Sequence, residues 1–184
     1  TTLSDIIDGG AGDDVISGGT GDDTLIGRFG ENTFVFEDTA AKNGVDDLTV
    51  SMASGFSGIL DFTAFFGESN QSLISSVSST GSVTLANSTT FTTEADTNGK
   101  DFGGADFGAF FAGSGTPFSN STSDTAMKFV IIVQDDFGDH DSQIYFVDTS
   151  QGADNNVQAE DVSLVGTSSQ IDNFTTFNAF NNFA

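Results

Sequence analysis

The chain has 184 residues, with 4 Lys+Arg against 27 Asp+Glu and a formal charge of −23. With no basic patch to release counterions, nucleic acid and anionic membrane surfaces are excluded as partners. Zero Cys excludes disulfides and thiolate metal sites, which leaves packing and hard-cation chemistry to hold the fold, and 20 Phe are too many for a solvated tail.

The start, Thr1-Thr2-Leu3-Ser4-Asp5, has no initiating Met, no basic region and no apolar stretch, and reads as the cut edge of a longer protein. A nine-residue period follows. Gly9-Gly10-Ala11-Gly12-Asp13-Asp14-Val15-Ile16-Ser17 is succeeded by Gly18-Gly19-Thr20-Gly21-Asp22-Asp23-Thr24-Leu25-Ile26 and by a degraded copy from Gly27 to Val35. Thr1 to Asp8 is the tail of an earlier copy. In this register the eighth position is Ile7, Ile16, Leu25 and Phe34, and the sixth is Asp5, Asp14, Asp23 and Asn32.

Glycines at the first, second and fourth positions let each turn enter left-handed conformations and curl its carbonyl oxygens inward. The triplet after each turn makes a very short strand with its middle side chain facing in. Successive units then alternate between the two edges of a flattened coil, a parallel β-roll. One large side chain per unit cannot offset roughly 1–2 kcal/mol of backbone entropy per residue. Stacked carbonyls and sixth-position carboxylates form an all-oxygen cage of the kind that holds Ca²⁺ and is too wide for Mg²⁺.

These residues resemble the RTX, or haemolysin-type, calcium-binding repeats of bacterial proteins exported by type I secretion, with two consecutive full matches at Gly9–Ile26. The resemblance implies one ion per pair of stacked turns, held by second- and fourth-position carbonyls and by the Asp. The implied ligands are Gly10, Gly12 and Asp14, then Gly19, Gly21 and Asp23, with Asp5 partnering Asp23 and Asn32 partnering Asp14. Asn32 and Arg28 depart from the pattern at the last unit. Asp47, in Gly44-Val45-Asp46-Asp47-Leu48, is similar to the acidic residue that often closes the roll in this family.

Past residue 45 the period is lost and Ser, Thr and Phe dominate. Leu48–Met52, Ile59–Phe62, Leu73–Val77, Val83–Leu85 and Thr90–Thr93 are predicted strands. Met127–Gln134 is apolar on both faces and predicted central, pairing as a hairpin with Gln143–Asp148, and Val162–Val165 supplies another strand. The expected class is all-β, a short parallel β-roll followed by an antiparallel β-sandwich. The expected domains are a roll over residues 1–44, a β-rich capping domain over 45–170 and a tail over 171–184. In the tail, Phe174, Phe177, Phe180 and Phe183 recur every third residue, and its composition is similar to that of a C-terminal export signal. Gly58–Gly67 and Ile144–Asp148 resemble segments that follow such repeats in surface and S-layer proteins.

Other chemistry is set aside. Asp135–Asp141, with His140, reads as a solvated hairpin loop, with a site for a second kind of ion as the alternative. Asp148–Asp161 resembles a calcium loop but lacks the acidic spacing and the glycine of an EF-hand. Three Asp-Phe-Gly triplets lack every other kinase element, and Asn-x-Ser/Thr triplets are coincidental in so Ser/Thr/Asn-rich a chain. A single His cannot make a zinc-protease motif, and no Gly-x-Ser-x-Gly elbow accompanies it, so no enzyme is expected. The longest strongly apolar run, Phe129 to Val133, falls short of the roughly 20 residues of a membrane-spanning helix. The expected partners are calcium ions, the type I secretion machinery, and either further copies of the chain or cell-surface polysaccharide. The expected location is secreted, either extracellular or on a bacterial surface.

Overall fold

A strand of two or three residues cannot satisfy its own backbone groups and must find them in a stacked copy. The protein is described by a computed structural model at residues 3–49, 57–67, 72–77, 83–84, 89–95, 118–119, 128–135, 142–150 and 159–168. It opens with β1 (Ile6–Asp8), β2 (Val15–Ile16), β3 (Thr24–Ile26) and β4 (Glu31–Val35), then the single helical turn α1 (Ala40–Asn43), β5 (Asp46–Thr49) and β6 (Ser57–Asp61). β1, β3 and β5 pair in parallel along one side, and β2, β4 and β6 along the other. Ile6 is opposite Thr24 and Val15 opposite Thr33, so each unit lies on the unit two further along.

The eighth-position side chains point between the two stacks. Ile16, Leu25 and Phe34 are buried and Ile7 is half-buried, and Leu48 and Leu60 continue the two rows beyond the recognisable repeat. Fourth-position glycines let the turns approach. Gly30 has φ 117°, and a Cβ there would strike the Gly12 carbonyl; Gly44 stands in the same relation to Gly21. Arg28, at a second-glycine position, has φ 53° and is the one non-glycine with positive φ among the described residues.

The remaining elements are α2 (Thr63–Phe66), β7 (Ser72–Val77), β8 (Val83–Thr84), β9 (Thr89–Ala95), β10 (Phe118–Ser119), β11 (Lys128–Asp135), β12 (Ser142–Asp148), a 3-10 turn at Ala159–Asp161 and β13 (Val162–Ser168). The protein is all-β, its described helices being short turns. β11 is central, as its two apolar faces require, and pairs antiparallel with β12, which pairs antiparallel with β13.

The expected antiparallel sandwich differs from the observed sheet. β13 joins β5 in parallel, and β9 and β7 add to β11 in parallel, giving a mixed eight-stranded order β1-β3-β5-β13-β12-β11-β9-β7. Side-chain alternation reports which face of a strand is buried and is silent on a neighbour's direction, which is set by the connection between them.

One core crosses the join. Leu25, Phe34 and Leu48 from the repeats share a cluster with Phe36, Phe62, Phe65, Val130, Ile132, Ile144, Phe146 and Val165. Phe65 stacks on Phe146 at 3.9 Å between centroids, and Phe62 meets the same ring edge-on at 5.9 Å. Such pairs add about 0.5–1.5 kcal/mol beyond their buried area.

The glycine geometry sets up a paired prediction. Gly67 caps α2 with φ 74°, and a Cβ there would meet nothing within 4 Å, so Gly67→Ala should cost only the left-handed backbone penalty of about 1 kcal/mol. Gly30→Ala adds the collision with the Gly12 carbonyl and should cost clearly more, read as the difference in denaturant midpoint at fixed calcium.

Candidate metal centre

Between each glycine turn and its strand, the fifth and sixth residues of a unit are placed to reach the neighbouring turn. The fifth reaches forward: Asp13 Oδ1 accepts the Glu31 N–H at 2.8 Å, and Asp22 Oδ1 accepts the Val45 N–H at 2.9 Å. The sixth reaches back. Asp23 Oδ1 accepts the Asp5 N–H at 2.7 Å, Asn32 Oδ1 accepts the Asp14 N–H at 3.0 Å, and Asp46 Oδ1 accepts the Asp23 N–H at 3.1 Å. Two ladders result, Asp5–Asp23–Asp46 on one edge and Asp14–Asn32 on the other.

The second carboxylate oxygens are the informative ones. Asp14 Oδ2 and Asp23 Oδ2 are buried with no hydrogen-bond partner. An ionised carboxylate only accepts, and leaving such an oxygen desolvated and unpaired costs more than a hydrogen bond returns. A cation satisfies it, and a hard one taking oxygen ligands at flexible geometry fits turns built of carbonyls. Among the described residues no group of three or more His, Cys, Asp or Glu side chains is placed to hold a metal ion, so a centre in these turns would draw one carboxylate from a turn and its remaining ligands from the main chain.

The other implied ligands lie in the same turns. The Gly10 carbonyl accepts the Phe29 N–H at 3.1 Å and keeps its second lone pair. The Gly12 and Gly21 carbonyls face the bare Cα positions of Gly30 and Gly44. Gly19 holds φ 81°, as Gly10 holds 86°. Asp5 is exposed and enters its ladder through its backbone N–H. Asn32 is buried, its Nδ2 donating to the Gly27 carbonyl at 2.7 Å.

Asp47 is exposed and stands opposite Thr24, one place beyond the sixth position, while its neighbour Asp46 is buried in the ladder. The signal for Asp46 was present, because Gly44-x-Asp46-x-Leu48 repeats the spacing of Gly21-x-Asp23-x-Leu25. α1 lengthens the unit and hides it from a strict count of nine. Asn43, at the end of α1, carried no signal. It is buried, donates through Nδ2 to Asp46 Oδ2 at 3.0 Å and to the Val165 carbonyl at 2.9 Å, and accepts the Glu37 N–H at 3.0 Å.

Burial pushes the Asp46 carboxyl up to about 7, against the lowering effect of the Asp23 N–H. A raised folded value means that the neutral form favours folding below the ordinary carboxyl range and that this contribution is lost as pH rises to about 7. At the surface, Arg28 Nε donates to both Asp8 oxygens at 2.6 and 2.7 Å, and this guanidinium holds the Asp8 carboxyl below its usual value.

Of the two acidic loops outside the repeats, residues 136–141, with His140, and 151–158 lie outside the described residues. Asp148 and Asp161 line a cavity of about 370 Å³ shared with Asp38 and Glu160.

Asp46→Asn keeps an acceptor for the Asp23 N–H but turns an amide donor toward Asn43 Nδ2, which the Glu37 N–H holds in its orientation. The substitution should therefore destabilise by about 1–3 kcal/mol at fixed calcium, measured by chemical denaturation above pH 7, where the carboxyl is charged, although it removes a buried charge.

Residues 1–34 match the family of RTX calcium-binding nonapeptide repeats in four copies. No curated protein and no solved structure matches the chain. Repeats of this family bind calcium ions, and the unpaired oxygens of Asp14 and Asp23 lie inside the matched segment. The first 34 residues are therefore an RTX-type repeat region, and the ion it takes is calcium.

Proposed function

We propose that this chain is a calcium-gated C-terminal module of a secreted protein, threadable while calcium is scarce inside the cell and folded into a β-roll by calcium outside. The observation that carries the reading is the pair of buried, unpartnered oxygens on Asp14 and Asp23, which make the turns dependent on a cation. RTX repeats occur in secreted bacterial proteins, and no helix among the described residues is long and apolar enough to cross a membrane. Type I secretion machinery is the export route in this reading, with its signal in residues 171–184, which lie outside the described residues.

Outside the cell the module anchors or assembles a surface layer. Exposed Ile6, Val15 and Phe29, at 78%, 76% and 58% of full exposure, supply apolar surface for self-association once calcium offsets part of the charge. In the alternative, the module serves only secretion and folding, and the activity belongs to an upstream adhesin, toxin or hydrolase. Neither reading assigns catalysis to this chain.

At a Kd of about 0.1 mM and about 10 mM external calcium, each ion stabilises by about 2.7 kcal/mol, a large part of a domain's margin of about 5–15 kcal/mol. Sedimentation velocity from chelator to about 10 mM calcium should show compaction, followed by growth to large species if the surface-layer role holds. A compact monomer at the end of the titration favours the alternative, and an unchanged profile sinks calcium gating altogether.

A further inference from the structure

The sixth position is chemically uneven along the two ladders. Asp14 Oδ2 lies against Gly9 and Asp23 Oδ2 against Gly18, and both oxygens lack a partner. Nδ2 of Asn32 lies in the same place against Gly27, where a Cβ would meet it at 2.9 Å. There it donates to the Gly27 carbonyl at 2.7 Å while Oδ1 keeps the ladder bond to Asp14. The orientation of this amide is fixed from both sides, since a flip would set Nδ2 against an N–H and Oδ1 against a carbonyl. What two oxygens in the Asp units leave to a cation, an N–H bond completes in this one.

The other edge ends in the same manner. Asp46 Oδ1 receives the Asp23 N–H, and its Oδ2 receives Nδ2 of Asn43. Beyond Asn32 its own edge offers Gly58 at the matching register, with no side chain to extend the ladder. Both ladders thus finish on an asparagine amide.

We infer that Asn32 and Asn43 stand in for calcium at the last turns of the two ladders, so that the unit at Gly27–Asn32 and the unit closing at Asp46 take no ion of their own and the calcium of the ladders is confined to the Asp14 and Asp23 units. This rests on the calcium reading above and changes one element of it: Asn32 is a plug in place of an ion rather than a ligand. Asn43 also ties the plug to Val165 on β13, which makes the ion-free end of the repeat the end that is joined to the C-terminal sheet.

The test counts calcium by native mass spectrometry and follows the calcium concentration at the folding midpoint by circular dichroism, using the full chain. Asn32→Asp should add one calcium to the wild-type count and raise the midpoint, because it exchanges a donor for a lone oxygen. Asn43→Asp, which sets a second carboxylate against Asp46, should raise the midpoint likewise. Asp23→Asn should do the reverse, with one ion fewer and a lower midpoint, since its amide can reach the Gly18 carbonyl as Asn32 reaches Gly27.

An unchanged count in Asn32→Asp, or a midpoint that rises in Asp23→Asn, overturns the inference. If Asn32→Asp stays unfolded at saturating calcium, Asp23→Asn decides alone, and both its count and its midpoint must fall. Wild-type protein that binds no calcium would instead remove the proposed function itself, so the two failures are separable.

Discussion

An ionised carboxylate brings two oxygens and no proton, and at Asp23 the backbone provides a donor for only one of them. Asp23 meets the N–H of Asp5 with Oδ1, and its Oδ2 is shut away from water with nothing to accept from. The rest of the repeat depends on that shortfall. The turns stack closely because glycine opens the way, the short strands pair because the turns stack, and the eighth-position side chains bury because the strands pair. An unsatisfied buried oxygen opposes each of these steps, and a cation that reaches it would favour them.

The repeat is not a separate body. β5 belongs to the parallel stack on one side and meets β13 on the other, and the interior row of Leu25 and Leu48 runs into the aromatic group around Phe146. Polar and apolar continuity therefore coincide at the same join, where Asn43 reaches Val165 while Phe36 lies 4.7 Å from Phe62. Where the carboxylate ladder meets the apolar core there is a boundary at which each must be finished with the other's groups. Asn43 and Leu48 are those groups.

Much of this was legible in the chain itself. The period placed Ile16, Leu25 and Phe34 inside and put Asp5 beside Asp23 and Asp14 beside Asn32, because stacking identical units fixes their register. The apolar stretch at Phe129–Ile132 was legible as a central strand, since a strand buried on both faces has no polar alternation. The parallel attachment of β9 to β11 was not, because direction depends on the connection. Asp46 was displaced from view by the extra residues of α1, so that Asp47, one place on, looked like the closing acid. Asn43 could not be read at all, as the bond that gives it meaning spans 122 residues.

The interruption at α1 says something about tolerance. Val45 bonds back to Asp22 across 23 residues as Glu31 does to Asp13 across 18, so the ladder keeps its register although one unit has grown. The added chain bulges outward with Ala41 and Lys42 in solvent, and lengthening a surface loop further costs only about 0.6 kcal/mol per doubling. Corners of this coil can thus carry cargo while its rungs cannot be altered in length. A peptide grafted between Asp38 and Thr39, ahead of the bonds that the Thr39 and Ala40 carbonyls accept from the N–H groups of Lys42, Asn43 and Gly44, would leave that helical turn and Asn43 in place beside the ladder.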